Sequence, residues 1–379
     1  MTPILNWNRA ATCADPFPGV EEAMIEGLHA PPSGRGLHGR ATAERLLAIR
    51  ARAGRLFGFP HPDRVIFVPG CTWGLNLAVH GAIKPGETVV TTAVEHNAIA
   101  RPLEVARRRG TRVEILPIGA DGRIALADLA ERLRAGGVDW LAFAIASNVL
   151  GTVEPYAEAC ALARRHGARI ILDLAQGGGT LPVDLAALGA AYAAVSGHKS
   201  LHGPRGIGLL FVAPSEQPEP WIQGGTGTEG ALTEMPLQLP QRLEPGTVNY
   251  PGIFGLGAAL EWLEKHPADL GPVRARLARL DAWCRAHPDL EALPPSPPPW
   301  PERLPVLAIR PRRMPSEVFV QFLAESGLDV RAGTMCTSRL LPGLNVQGGV
   351  VRLSPDPLAD DAEFEAVRRR LDEALQCLG

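Results

Sequence analysis

Between residues 64 and 213 the chain alternates short apolar runs with amphipathic stretches. The runs are RVIFV (64–68), TVVTT (88–92), RVEILPI (112–118), WLAFAIA (140–146), RIILDL (169–174), AYAAVS (191–196) and GIGLLFV (206–212). Segments such as IARPLEVARRRG and PYAEACALARRHG separate them, with apolar positions at helical spacing. Near-continuous apolar strands divided by helices predict an α/β fold with a mostly parallel sheet covered on both faces. Past residue 250 the texture changes. IFGLGAALEWLEKH and VRARLARLDAWCRAH read as helices and lead into the proline-rich LPPSPPPWPERLP (293–305), expected to be a stiff, exposed connector. VLAIRP, the helix PSEVFVQFLAESG, DVRAG, VVRLSP and a last helix from about 359 then predict a smaller α+β unit. The expected division is a large domain over 15–250 and a small domain made of 1–14 and 251–379. No internal repeat is visible.

Composition narrows the class without naming a chemistry. The 379 residues are 46% hydrophobic and 21% charged, which suits a large core and two domains. The net charge of −2 gives no basic surplus for nucleic acid. No apolar stretch approaches the 20 or so residues of a membrane span, and the N-terminal residues do not read as a signal peptide. The six cysteines, Cys13, Cys71, Cys160, Cys284, Cys336 and Cys377, include no C-x-x-C pair. Neither a zinc site nor a disulfide framework is expected, and the reading is a cytoplasmic protein.

One compositional bias changes the picture. Of the 38 basic residues only Lys84, Lys199 and Lys265 are lysine. A chain that uses arginine almost wherever a positive charge will do keeps Lys199 in AVSGHKSLHG, just past an apolar run. Lysine can lose its proton and bond covalently to an aldehyde, which arginine in practice cannot. On such sheets ligands sit beyond the carboxyl ends of the strands. RIILDL ends there in Asp173, an acid that is costly to bury without a partner. A lysine paired with an aspartate is the arrangement pyridoxal 5′-phosphate (PLP) requires: the lysine holds the aldehyde, the aspartate keeps the pyridine nitrogen protonated. A phosphate seat is expected at the start of the helix in FVPGCTWGLNLAV, where Gly70, Cys71 and Thr72 would present free N–H groups, with Ser196 and His198 adding donors. His96, in TAVEHNA, is a candidate to lie over the cofactor ring. GTGTEG (225–230) fits G-x-G-x-x-G, but no strand precedes it and no helix follows, so it reads as a flexible loop.

The ordered set TTAVEHNA, ASNVLGTVEP, LDLAQGGGTLPVDL, SGHKSLHGPRGIG, LEPGTVNYPGI and VRAGTMC resembles the class V aminotransferase group of fold type I PLP enzymes, most of all its short-loop cysteine desulfurases and selenocysteine lyases. The resemblance spans nearly the whole chain. It implies a seven-stranded, mostly parallel sheet and a small C-terminal domain, with Lys199 as the lysine bonded to PLP. It implies Asp173 on the ring nitrogen, Gln176 on the ring hydroxyl, His96 stacked on the ring and active in proton transfer, and Thr72, Ser196 and His198 on the phosphate. Thr247 is implied to reach the phosphate of a partner subunit, hence a homodimer. Asn148 and Arg352 are implied to hold the substrate carboxylate, and Cys336 to receive sulfur. The implied activity is conversion of L-cysteine to L-alanine with a persulfide on Cys336, passed on to a possible protein acceptor. The alternative is a C–S or selenocysteine lyase or an aminotransferase in which Cys336 takes no part.

Two stretches depart from the family pattern. Relatives often carry a histidine immediately before the reactive cysteine, where this chain has Met335. A histidine there would be expected to assist thiolate formation. The N-terminal motif reads NWNRAAT, which places Asn8 and Arg9 near the expected substrate pocket.

Overall fold

The computed structural model describes residues 4–13, 15–31, 37–227 and 230–376. Its strands are β1 Leu5–Asn6, β2 Val65–Val68, β3 Thr88–Thr92, β4 Arg112–Leu116, β5 Trp140–Ala144, β6 Arg169–Asp173, β7 Tyr192–Ser196, β8 Gly208–Val212, β9 Leu290–Leu293, β10 Leu307–Pro311, β11 Leu328–Asp329, β12 Arg331–Gly333 and β13 Val350–Leu353. The helices are α1 Val20–His29, α2 Leu37–Leu56, α3 Cys71–Ala82, α4 Asn97–Arg108, α5 Leu126–Arg134, α6 Tyr156–Arg165, α7 Leu185–Leu188, α8 Tyr250–Lys265, α9 Gly271–Ala286, α10 Ser316–Glu325, α11 Leu340–Gly343 and α12 Asp361–Gln376.

The seven apolar runs form one sheet in the order β2-β8-β7-β6-β5-β3-β4. β8 pairs antiparallel to both its neighbours, and the other pairings are parallel. Side chains alternate between the two faces, as strand geometry requires. Val65, Phe67, Ile170, Leu172, Leu209 and Phe211 join a core with residues of α2, α6, α7 and α8. Ile66, Val68, Ile171, Leu210 and Val212 join a core on the other face with α3 and α4. With both faces covered, the strands have little room for polar residues, which explains their apolar runs.

The four-stranded antiparallel sheet β12-β13-β10-β9 has its own core with α9, α10 and α12. A short parallel pair, β1 with β11, ties the N-terminal segment to this part of the molecule. Helix α8 follows residue 250 but buries Ile253, Phe254, Leu256 and Leu260 in the core of the seven-stranded sheet. The proline-rich segment is not an exposed spacer. Leu293, Arg303 and Leu304 are buried, Leu304 N donates to Gly151 O, and Arg303 bridges to Thr152. The end of the segment is thus tied to residues 151–152, while Pro295, Pro299 and Pro301 stay exposed. No helix among the described residues is long and apolar enough to cross a membrane.

One glycine positions the start of α3. A Cβ on Gly208 would stand 2.5 Å from Val195 O and 2.9 Å from Gly70 Cα. Only glycine lets the turn before α3 lie this close to β7 and β8.

Candidate active site

Three strand ends and the small sheet converge on one place. Asp173 is the last residue of β6 and is 2% exposed. Its Oδ1 accepts from Ala175 N at 2.7 Å and from the Cys71 thiol at 3.2 Å, while Oδ2 has no hydrogen bond among the described residues. Lys199 lies in the turn after β7. Burial pushes its amine below the usual lysine range, and the charge of Arg352 adds to this; Asp173, Cys71 and Cys336 act in the opposite sense. Lys199 is therefore within electrostatic reach of every group expected to do chemistry.

Cys71 begins α3 as expected, but its side chain turns into the protein. The Sγ stands 3.2 Å from both Asp173 Oδ1 and Ala194 O. Burial, then the Asp173 charge, push this thiol well above its ordinary range, so it stays protonated and donates. The side chain thus braces the aspartate, and only the backbone of Cys71 remains for an anion at the helix terminus. Thr72 is exposed beside it. Ser196 ends β7 and is buried. His198 faces the N-terminal segment, with Nδ1 at 3.0 Å from Thr12 Oγ1.

His96 caps α4: its Nδ1 accepts from Ala98 N at 3.0 Å. Burial, with Lys199, Arg331 and Arg101, lowers its proton affinity against the pull of Asp173. A neutral imidazole with Nδ1 accepting must carry its proton on Nε2. The free nitrogen of His96 is therefore a donor.

The small sheet supplies the rest. Arg352, on β13, is 2% exposed and has no acidic partner among the described residues. It donates to Asn148 O at 2.9 Å and to Asn8 Oδ1 at 3.1 Å, and its buried Nε has no partner among the described residues. Burial, and next Arg331, lower its pKa to about 10. A buried, unpaired guanidinium is costly and suits a bidentate anion. Gln176 is buried with Nε2 donating to Ala10 O at 2.9 Å. Arg9 is held by Asp15 and Asp356, each at 3.1 Å, and so offers no free charge.

The Cys336 loop is docked onto this cluster. Asn97 N donates to Cys336 O at 2.8 Å, Asn148 Nδ2 to Met335 O at 2.8 Å, and Thr337 bridges to His96. Arg331 brings its Nη2 to 3.6 Å from Cys336 Sγ. This arginine was missed as a site residue in the sequence, although it opens the quoted RAGTMC; the signal was a cation five residues before a loop cysteine. Met335 is 3% exposed and packs with Val94, Val149, Leu340 and Val350. It anchors the loop in an apolar cluster. The expectation that Met335→His would assist the thiol therefore changes sign: an imidazole there loses its hydrogen bonds to water. Met335→His should cost about 1–3 kcal/mol of stability and should not accelerate turnover, as urea unfolding and initial rates will show.

Thr247 does not join the cluster. It is exposed in the loop before α8 and lines an apolar cavity of about 230 Å³ with Trp73, Ile222 and Gly206. Trp73, Trp221 and Ile222 are each at least 40% exposed.

Comparison with known proteins agrees with this geometry. The aminotransferase class V family model matches residues 10–367. A cysteine desulfurase of Salmonella dublin is 32% identical over 325 residues, covering 81% of this chain and 77% of the relative. One from Escherichia coli O127:H6 is 32% identical over 339 residues, covering 82% and 79%. Among solved structures, the cysteine desulfurase CsdA of Escherichia coli superposes with a TM-score of 0.84 at 27% identity over 99% of this chain and 96% of that one. The apo cysteine desulfurase of Thermococcus onnurineus NA1 has the same fold, with a TM-score of 0.89 at 23% identity, over 99% and 95%. With the family model matching residues 10–367, and with Asp173 and Arg352, from the two sheets, brought within electrostatic reach of Lys199, the chain belongs to the class V aminotransferase family.

Proposed function

We propose that the protein is a PLP-dependent cysteine desulfurase that converts L-cysteine to L-alanine and takes the sulfur onto Cys336. The observation that carries this is the docking of the Cys336 loop, through Cys336 on Asn97, Met335 on Asn148 and Thr337 on His96, within reach of the charges of Lys199 and Arg352. The residues present fit the cofactor. Asp173 keeps one carboxylate oxygen unbonded while the other is braced, and the orphaned Nε of Arg352 marks a place for an anion.

Lys199 would hold the cofactor aldehyde, Asp173 Oδ2 its ring nitrogen, Gln176 its ring hydroxyl, and the N-terminus of α3 with Thr72, Ser196 and His198 its phosphate. When bound, PLP supplies a ring that draws electron density from the substrate α-carbon. Arg352 and Asn148 orient the substrate carboxylate, with Asn8 holding the guanidinium from the other side. Lys199, its proton affinity lowered by burial, takes the α-proton at Nζ. His96 donates from Nε2. The Cys336 thiolate attacks the substrate sulfur and the carbon–sulfur bond breaks with its electrons passing to the β-carbon, which takes a proton from His96; Lys199 returns the proton it took to the α-carbon, completing alanine. The balance is L-cysteine plus a thiol giving L-alanine plus a persulfide. Arg331 stands ready to offset negative charge on the sulfur. Incubation with L-cysteine should yield alanine and one sulfur atom on the Cys336 peptide by mass spectrometry; sulfide release with no label on Cys336 would favour the lyase reading.

Cys71 has a measurable part in this scheme. Cys71→Ala removes the thiol donor to Asp173 and should weaken PLP binding to the apoprotein about three- to tenfold, the scale of one hydrogen bond from a weak donor. Titration of apoprotein with PLP, followed by absorbance, reads this directly, and Cys71→Ser should restore much of it.

We further propose a homodimer in which the exposed apolar cavity beside Thr247 is covered by a second copy, Thr247 reaching the partner's phosphate site. Exposed Trp73, Trp221 and Ile222 form an apolar surface that a second copy would bury. Light scattering of Trp221→Glu should show dissociation with loss of PLP affinity; a fully active monomer would refute it. The five described cysteines are free, which supports a reducing, cytoplasmic setting.

A further inference from the structure

The mouth of the Cys336 loop is basic, although the chain as a whole carries a net charge of −2. Asn97, whose N–H holds Cys336 O, begins α4. From it Arg101, Glu104 and Arg108 follow at four, three and four residues, on one face of the helix. Arg101 and Arg108 are exposed, and Arg331 is exposed next to the sulfur. Arg331 and Arg101 both act on His96, and Arg339 acts on Glu104, so the four arginines border one region. The acid on this face, Glu104, is taken by Arg107 at 2.8 Å. Arg101, Arg108, Arg331 and Arg339 have no ion-pair partner among the described residues.

An open groove of about 800 Å³ adjoins the loop, lined by Asn97, Thr334, Thr337 and Ser338, with Glu317 as its acid. No aromatic side chain lines it, so a nucleic acid base finds no stacking platform there. The sulfur therefore sits at the edge of an unpaired positive surface with room for a protein segment.

We propose that this face docks an acidic protein surface that presents a thiol to the sulfur on Cys336; this rests on the desulfurase reading above. The transfer balances without an added oxidant. The acceptor thiolate attacks the outer sulfur of the persulfide, a new sulfur–sulfur bond forms, the old one breaks, and its electron pair returns to Cys336 as thiolate. Complementary charge raises the encounter rate, and salt suppresses the gain.

The test uses three synthetic thiol peptides as acceptors: cysteine flanked by glutamates, by glutamines or by lysines. Persulfidated holoenzyme is mixed with each, and loss of label from Cys336 is timed at low and high salt. The acidic peptide should react about tenfold faster than the lysine peptide at low salt, with the difference shrinking at high salt. The double substitution Arg108→Gln and Arg339→Gln should bring the ratio below about threefold, with turnover in dithiothreitol unchanged. Equal rates for the three peptides, with dithiothreitol turnover intact, overturn the docking proposal. Retention of a DNA oligonucleotide alongside equal rates would make the patch a nucleic acid surface instead. Absence of label on Cys336 at the outset refutes the desulfurase reading, a separate result.

Discussion

Lys199→Ala should lower turnover of L-cysteine by about 10³-fold or more, the scale of a lost acid–base group. Borohydride reduction of the wild-type protein with PLP should fix the cofactor on the peptide containing Lys199. The chain offers two other lysines as internal controls. Lys84 is exposed, and Lys265 is exposed and paired with Glu261 at 2.7 Å. Neither has the burial that lowers the proton affinity of the Lys199 amine. A label on either, or turnover unaltered in Lys199→Ala, would move the reacting amine elsewhere. Lys199→Arg should fail as fully as alanine, because a guanidinium keeps its proton.

Cys336→Ser has the second largest expected effect. Serine keeps the volume and the left-handed backbone position, and it leaves the Cys336 carbonyl bonded to Asn97 N. Cofactor content and substrate binding should persist, since Lys199, Asp173, Asn148 and Arg352 are untouched. Alanine formation should drop by about 10³-fold or more, because a hydroxyl at neutral pH lacks the nucleophilicity of a thiolate. Sulfide release at an unchanged rate would make the cysteine structural.

The seven strands were legible because a sheet covered on both faces leaves no room for polar interruptions, and each apolar run became one strand. The reversed direction of β8 was not legible, since an antiparallel buried strand has the same composition as a parallel one. The pairing of β1 with β11 was hidden for another reason: two residues are too few to set a periodicity. Lys199 and Asp173 stood out through residue chemistry and their places at strand ends. Side-chain direction did not. Cys71 was placed correctly at the start of α3, yet nothing in CTWG says that its thiol turns toward Asp173. Met335 shows the same limit, since an apolar residue in a glycine-rich loop reads as a gap in a motif until its neighbours, Val94 and Leu340, are seen.

Met335 and Cys336 have φ angles of 51° and 59°, two consecutive side-chain-bearing residues in the left-handed region. Each such residue costs about 1–2 kcal/mol. The Met335 anchor and the hydrogen bonds to Asn97 and Asn148 offset that cost only while the loop is seated. The tip behaves as a cocked latch: once these holds let go, the backbone relaxes to extended angles and recovers the strain. On the proposed desulfurase reading, release of these holds would let the peptide chain itself help to carry a loaded sulfur away from the cofactor.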